Sequence, residues 1–180
     1  MNICVFCGSS TGVNPVYSDA TKQLASLFAQ SNITLVYGGG NVGLMGIMAD
    51  EVLKHNGKVI GVIPDFLVKR EVAHRGVTEL EVVTSMHERK KRMADLSDAF
   101  IALPGGWGTM DELAEILTWR QLNLISQSIG LLNTNSFYDP LILQMEKMIN
   151  EGFVKKENLS QLKIASNPVE LLTMLGVLYN

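Results

Sequence analysis

Cysteine is scarce in this sequence, with two residues among 180. Cys4 and Cys7 are too few for the disulfide network that stabilises small secreted proteins. Their C-x-x-C spacing also occurs in redox enzymes, where it begins a helix. Here it falls in "NICVFCG", which is typical of a strand, and residues three apart in a strand point to opposite faces. We therefore expect two buried thiols without a redox function.

The sequence also lacks a basic surplus, a long hydrophobic run and a metal-binding pattern. The formal net charge is −3, whereas proteins that bind nucleic acids in general have a basic face, so no nucleic-acid partner is expected. No apolar run approaches the ~18 residues of a membrane span, and the first residues do not resemble a secretion signal. The three histidines are scattered. We expect a cytoplasmic protein with no membrane association, no metal and no cofactor.

What the chain does have is alternation between short apolar runs and segments of helical periodicity. Hydrophobic residues make up 47% of the sequence and charged residues 18%, which is typical of a folded globular protein. Seven runs predict strands, the last less clearly than the others: "NICVFC", "ITLVY", "KVIGVIP", "TELEVVT", "DAFIALP", "SIGLLN" and "LKIAS". Apolar strands joined by helices indicate an α/β, Rossmann-like, doubly wound and mainly parallel sheet with helices on both faces. We predict one domain over residues 1–180.

The helical segments have recognisable ends. "GTMDELAEILTWRQLNLI" follows the fifth strand, and "NPVELLTMLGVL" closes the chain with Asn167 as N-cap and Pro168 as the first helical residue. The segment "DFLVKREVAHRGV", after the third strand, has no clear period.

Glycine clusters follow three of the predicted strands: "CGSSTG", "YGGGNVGLMG" and "PGGWGT". Ligands of doubly wound sheets bind beyond the carboxyl ends of the strands, so these clusters predict a binding site. Gly38, Gly40 and Gly43 match the dinucleotide pattern G-x-G-x-x-G between a strand and a helix. The match follows the second strand instead of the first, and the acid expected about 20 residues later is represented only by Asp65, after Pro64. Close packing of strand and helix is therefore the favoured explanation.

The cluster "PGGWGT" is a stronger signal. Gly105, Gly106 and Gly108 allow a ligand to approach the backbone, and the start of the following helix favours an anion. Thr109 adds a hydroxyl group. The lysine of a P-loop is missing, so a monophosphate is favoured over a triphosphate.

Glu112 has two interpretations. Thr109 and Glu112 have the S/T-x-x-E spacing of a capping box, which alone could explain both residues in the first turn of a helix. However, a helix that needs only a cap does not need glycine at three of the four positions before Thr109. We therefore interpret Glu112 as a carboxylate beside a phosphate-binding loop.

The segment "MHERKKRM" contains four consecutive cations at residues 89–92. Consecutive residues spread around a helix, so some of the four must face the sheet or a partner. An arginine at the end of the fourth strand would lie near the end of the fifth, where its guanidinium could hold a phosphate with two hydrogen bonds.

These segments together resemble the LONELY GUY family of cytokinin riboside 5′-monophosphate phosphoribohydrolases, which are often labelled lysine decarboxylases. "PGGWGTMDE" fits the signature P-G-G-x-G-T-x-x-E and "MHERK" fits a second one, while "FCGSS", "VYGGGNVGLMG" and "LTW" are similar to further segments. The resemblance runs from about Ile3 to beyond Trp119. It departs at Leu117, where isoleucine or valine is frequent, and at Trp107, where tyrosine is common.

The resemblance implies an enzyme that hydrolyses the N-glycosidic bond of a purine nucleoside 5′-monophosphate to the free base and ribose 5-phosphate. It implies a homodimer with the site near the interface, and catalysis by Arg89 and Glu112. A carboxylate such as Glu112 stabilises an oxocarbenium-like sugar. The implied substrate-binding residues are Glu71, Arg89, Lys90, Gly105, Gly106, Trp107, Gly108, Thr109, Met110, Asp111, Glu112 and Thr118.

Other functions stay open at this point. A non-catalytic nucleotide or cofactor carrier, similar to molybdenum-cofactor carriers, would use the same fold, and Gly38 to Gly43 leave room for an NAD(P)-dependent oxidoreductase. An amino-acid decarboxylase is disfavoured, because no lysine is a good candidate to hold pyridoxal phosphate. The residues do not distinguish between AMP, its N6-isopentenyl form and another purine nucleotide as the substrate, and they do not assign the group that protonates the leaving base. The helix "ELAEILTWRQLNLI" is apolar on more than one side, which independently predicts a homodimer.

Overall fold

A computed structural model describes residues 1–68 and 72–178 of the chain. Within these residues the strands are β1 (Asn2–Phe6), β2 (Thr34–Tyr37), β3 (Val59–Pro64), β4 (Glu79–Val83), β5 (Ala99–Ala102), β6 (Ser128–Leu132) and β7 (Leu162–Ala165). They form one parallel sheet in the order β4-β3-β2-β1-β5-β6-β7. The seven predicted strands and the doubly wound fold are confirmed.

Helices connect the strands on both faces of the sheet. In the described residues they are α1 (Val16–Gln30), α2 (Gly43–Lys54), α3 (Asp65–Val68), α4 (Met86–Asp95), α5 (Trp107–Gln121), α6 (Asp139–Asn150), α7 (Lys156–Ser160) and α8 (Pro168–Met174). None of the helices in this part of the chain is long and apolar enough to cross a membrane.

The order of the strands determines where a ligand can bind. The chain adds β2, β3 and β4 on one side of β1 and then returns to place β5 on the other side. The ends of these two central strands are level, because Phe6 pairs with Ala102. Just beyond them the amide of Gly8 donates to the carbonyl of Pro104 at 3.2 Å. A doubly wound sheet has its ligand crevice at this reversal.

The sheet separates two hydrophobic layers, as the alternation of side chains in β1 requires. Ile3 and Val5 pack in one layer, and Cys4 and Phe6 pack in the other. Cys7 follows in the first layer, and both cysteines are buried and unbonded, so the prediction of buried thiols on opposite faces is confirmed.

Helix ends match the sequence where side chains form the cap. Asn167 accepts the amide hydrogen of Glu170 at the start of α8, as predicted, with Pro168 as the first helical residue. Helix α5 differs from its prediction, because it begins one residue early, at Trp107, and ends at Gln121, before the predicted end at Ile125. Asn123, with a positive φ of 57°, then turns the chain out of the helix. Helices α3 and α7 were not predicted, since four and five residues are too few to show a period.

Candidate active site

A cavity of about 480 Å³ lies at the carboxyl ends of β1, β2 and β3 and at the start of α5. This position is the crevice expected from the strand order. All three glycine clusters contribute to its lining, with Cys7, Ser9, Gly38, Gly40, Val42, Met45, Gly106, Trp107, Gly108 and Thr109. The other residues lining it are Val5, Ile63, Leu67, Val72, Arg89 and Glu112. The predicted meeting of the three clusters at one site is thus observed.

An arginine and a glutamate from different helices meet in this cavity. Nη2 of Arg89, on α4, lies 3.4 Å from Oε1 of Glu112, on α5, and both side chains are buried. Nε of Arg89 donates to the carbonyl oxygen of Val62 at 3.2 Å, and Nη1 lies 3.8 Å from the sulfur of Met86. The guanidinium is therefore held on three sides, and its remaining edge faces the cavity.

Burial raises the pKa of the Glu112 carboxyl above its ordinary value. The positive charge of Arg89 acts in the opposite direction and lowers this pKa. Asp111, a negative neighbour on the same helix, adds to the increase. Glu112 thus combines reduced hydration with one close cation, which is a common arrangement for a catalytic carboxyl group.

The four consecutive cations of α4 point in four directions. Lys90 forms ion pairs with Asp111 at 3.1 Å and Glu115 at 3.2 Å, which joins α4 to α5 beside the cavity. Burial acts to lower the pKa of Lys90, but the hydrogen bonds to these carboxylates outweigh it and raise the pKa. Lys91 pairs with a carboxylate of its own helix, and Arg92 makes two hydrogen bonds to Glu81 on β4. Only Arg89 of the four lines the cavity.

The start of α5 is open to the cavity. Gly106 is the N-cap, and no side chain in the described residues caps this end. The first backbone amides of a helix have no acceptor within the helix, so they are available to an anion. The capping box of Thr109 and Glu112 is not formed, because the helix begins at Trp107 and Glu112 belongs to its second turn. Capping therefore does not explain Glu112.

The glycines of this loop have two different roles. A Cβ atom on Gly105 would lie 2.1 Å from Oγ1 of Thr109 and 2.9 Å from the amide nitrogen of Gly8, so Gly105 is needed for packing. Gly106 and Gly108 would meet nothing within 4 Å. Their missing side chains therefore leave space at the cavity, next to Trp107, which is 92% exposed.

The G-x-G-x-x-G match is explained by packing at its last glycine. Gly43 has a φ of +61°, and its Cβ would lie 2.2 Å from the carbonyl carbon of Ser9. The next amide, that of Leu44, donates to the carbonyl of Gly8 at 3.0 Å. This part of the pattern brings α2 against the loop after β1, which is the close packing favoured from the sequence.

The structure does not bring all the predicted substrate-binding residues into the cavity. Met110 and Thr118 line a second, apolar groove on the other side of α5, and Lys90 and Asp111 form their ion pair beside the cavity. Glu71 lies outside the described residues. The assignment of these residues to substrate binding stays a prediction.

Several residues that line the cavity were missing from the site expected from the sequence. The most prominent are Gly38, Gly40, Cys7 and Ser9. Their glycine clusters were recognised, but the pattern did not show which members of each cluster face the crevice. Burial raises the pKa of the Cys7 thiol far above its ordinary value, so this thiol stays protonated beside Glu112.

Comparison with known proteins shows the family to which this chain belongs. A family model described as "possible lysine decarboxylase" matches residues 45–175. A cytokinin riboside 5′-monophosphate phosphoribohydrolase of Arabidopsis thaliana is 46% identical over 173 residues, which cover 96% of this chain and 81% of the relative. A rice (Oryza sativa subsp. japonica) protein named as a probable enzyme of the same kind is 46% identical over 175 residues, which cover 96% of this chain and 71% of the relative.

Among solved structures, the molybdenum cofactor binding protein of Rippkaea orientalis has a TM-score of 0.74, with 25% sequence identity, 97% of this chain covered and 94% of that protein. The sheet and its helices are thus shared with a molybdenum cofactor binding protein, whereas the much higher identity is to phosphoribohydrolases. By sequence over nearly its whole length, this chain belongs to the family of cytokinin riboside 5′-monophosphate phosphoribohydrolases, which carries the "possible lysine decarboxylase" description.

Proposed function

We propose that this protein hydrolyses the N-glycosidic bond of a purine nucleoside 5′-monophosphate, either AMP or its N6-modified cytokinin form, and that Arg89 and Glu112 are its catalytic residues. The observation that carries the proposal is the buried pair of these side chains, 3.4 Å apart, in a cavity that also contains the open start of α5. The cavity of about 480 Å³ is within the usual size range for small-molecule sites.

The reaction needs a carboxylate more than a strong nucleophile. The bond between C1′ and the base nitrogen breaks with its electron pair going to the base, which leaves positive charge on the ribose ring. The ionised carboxylate of Glu112 stabilises this charge and orients a water molecule whose hydroxide adds to C1′, while the released proton balances the charge on the departing base. The positive charge of Arg89 lowers the pKa of Glu112 against the effect of burial, which favours the ionised carboxylate, and the ion pair fixes its position.

The phosphate group binds at the start of α5 in this proposal. The unpaired amides of the first turn and the helix dipole attract an anion, and the open space at Gly106 and Gly108 lets the phosphate reach them. This binding is remote from C1′, so its energy positions the sugar against Glu112.

The proposal is tested by comparing four substrates: AMP, N6-isopentenyladenosine 5′-monophosphate, adenosine and ATP. Release of free base is followed by chromatography. We expect kcat/KM for at least one monophosphate to exceed that for adenosine by about 100-fold or more, because the phosphate supplies positioning energy. Equal rates with adenosine would contradict the phosphate site. Tight nucleotide binding without base release would favour the carrier function.

We also propose that the protein is a homodimer that uses the outer side of α5. Here an apolar groove of about 380 Å³ is formed by α5, α6 and α7, with Leu117, Met145 and Met148 among the residues lining it. The apolar side chains of α6 are half-buried or exposed, and none of its described residues is fully buried. A second copy that presents the same surface would cover both grooves about a two-fold axis.

Light scattering during size-exclusion chromatography at micromolar concentration measures this directly. The chain mass is 19.8 kDa, and a homodimer has twice that mass. A monomer over the whole concentration range would contradict the dimer while leaving the proposed chemistry to be tested by base release.

A further inference from the structure

We propose that Gly38 is a positioning residue for catalysis, because its missing side chain is the space in which the guanidinium of Arg89 lies. This inference rests on the proposed function and adds a residue that acts through Arg89. A Cβ atom built on Gly38 would lie 1.8 Å from Nη2, 2.9 Å from Cζ and 3.3 Å from Nε of Arg89. Even alanine at this position therefore requires the guanidinium to move.

The place of Gly38 in the sheet explains why it is next to this arginine. Gly38 follows the last residue of β2, and β2 is hydrogen-bonded to β3. The carbonyl of Val62, on β3, accepts the hydrogen bond from Nε of Arg89. The guanidinium from α4 thus extends over the ends of two neighbouring strands to reach Glu112 on α5. The carbonyl of Val62 fixes one edge of the group, and Gly38 leaves room for its other end.

From the same contacts we infer that the fold does not require glycine at position 38. The three nearest atoms that a Cβ on Gly38 would meet all belong to the end of one flexible side chain, and Gly38 does not have a positive φ angle. Gly43 differs on both points, since its φ is +61° and its Cβ would meet the backbone of Ser9 and Ser10. Alanine at Gly38 should displace Arg89 and leave the fold intact, whereas alanine at Gly43 should destabilise the protein.

Displacement of Arg89 changes the electrostatics of Glu112 in a known direction. Arg89 lowers the pKa of Glu112, so moving its charge away raises this pKa further. The other charged or titratable groups that act on this part of the structure stay in place. They are Lys90 on α4, Asp111 and Glu115 on α5, Cys4 on β1 and Cys7 just after it. Ionised Glu112 is the active form, so the acidic limb of the profile of kcat/KM against pH should move to higher pH.

The experiment is a double-mutant cycle with Gly38→Ala, Arg89→Ala and the combined variant, all checked by thermal melting. We expect Gly38→Ala to lower kcat by about 100-fold, the scale of a displaced catalytic group, and to shift the acidic limb upward. In the Arg89→Ala background the same substitution should cause less than about a twofold further change, because residues that act through one contact are not additive. Equal losses in both backgrounds would overturn the proposal and indicate that Gly38 acts on the substrate or the fold.

A second measurement does not depend on activity. The carboxyl carbon of Glu112 can be titrated by ¹³C NMR, with its signal assigned from the loss in Glu112→Gln. Gly38→Ala should raise the pKa of Glu112, and Gly38→Ala in the Arg89→Ala background should not raise it beyond the single Arg89→Ala value. An unchanged pKa in Gly38→Ala would overturn the positioning role. If the wild-type protein releases no base from any monophosphate, the proposed function fails, and this titration still decides the role of Gly38.

Discussion

Helix α5 has a cavity with a buried ion pair on one side and an apolar groove of similar size on the other. Thr109 and Glu112 face the cavity, while Leu117 and Thr118 face the groove. The cavity contains the buried ion pair with Arg89, whereas the groove is lined mainly by aliphatic side chains and methionines. The difference shows that one helix can hold a buried carboxylate in a cavity on one side and present an apolar surface on the other, since its side chains point around a full circle.

Removing the charge on the cavity side should have the largest effect. Glu112→Gln keeps the shape of the side chain and loses the carboxylate, so kcat should fall by about 100- to 1,000-fold while the melting temperature is maintained. Steady-state release of base and thermal melting on the same preparation measure both properties.

A matched control lies one turn further along α5. Glu115 is also a glutamate, it does not line the cavity, and it is paired with Lys90. Glu115→Gln should change kcat by less than about threefold, because it weakens one of two ion pairs at a partly exposed position. If Glu112→Gln releases base at nearly the wild-type rate, Glu112 is not a catalytic residue.

Adding a charge on the groove side should act on assembly instead of chemistry. Leu117→Glu places an unpaired carboxylate in each half of the proposed interface, and the dimer dissociation constant should rise by about 10- to 100-fold. Sedimentation velocity at several concentrations measures it. Leu143→Glu is the control, because Leu143 is an exposed residue of α6 outside the groove. Equal weakening by both substitutions would show that the groove is not the interface.

The smallest expected effect is a shift in the pH dependence of catalysis. The pKa of Glu112 is raised by burial, and ionised Glu112 is the active form, so kcat/KM should fall on acidification at a higher pH than for an ordinary glutamate. Asp111 raises this pKa further, so Asp111→Asn should move the acidic limb to lower pH by less than about one unit. A limb that stays in place would mean that a group other than Glu112 controls it.

The sequence was sufficient to predict the fold and the region of the site. Its apolar runs gave the strands, because a strand buried on both faces must be apolar along its length. The glycine clusters at the strand ends indicated the ligand edge of the sheet. The resemblance rests on "PGGWGTMDE" and "MHERK". Each of the two is a continuous segment of the chain, so it can be recognised without tertiary information.

Local sequence patterns were not sufficient where the same residues fit two structural interpretations. Thr109 and Glu112 have the spacing of a capping box, yet α5 begins at Trp107 and leaves its end uncapped. The capping-box pattern specifies only how far apart Thr109 and Glu112 are along the chain. It contains no information on the tertiary packing at the start of the helix, where Gly105 lies close to Gly8 and Thr109. A similar limit applies to α3, which is too short to show a helical period.

What the sequence determined by itself is the set of elements and their order, because these depend on neighbours in the chain. What only the tertiary structure decided is which of four consecutive cations lies in the cavity beside Glu112, and that the missing side chain of Gly38 leaves the space for its guanidinium. Residues 89–92 have the same charge, and in a helix their side chains point in four different directions. The sequence alone therefore does not predict which of them faces the sheet. The packing of α4 over β3 directs Arg89 to the carbonyl of Val62 and into the space beside Gly38. The contacts that bring Arg89 to Glu112 join residues 27 or more positions apart in the chain, such as Arg89 and Val62. No local sequence pattern can predict contacts over such a separation.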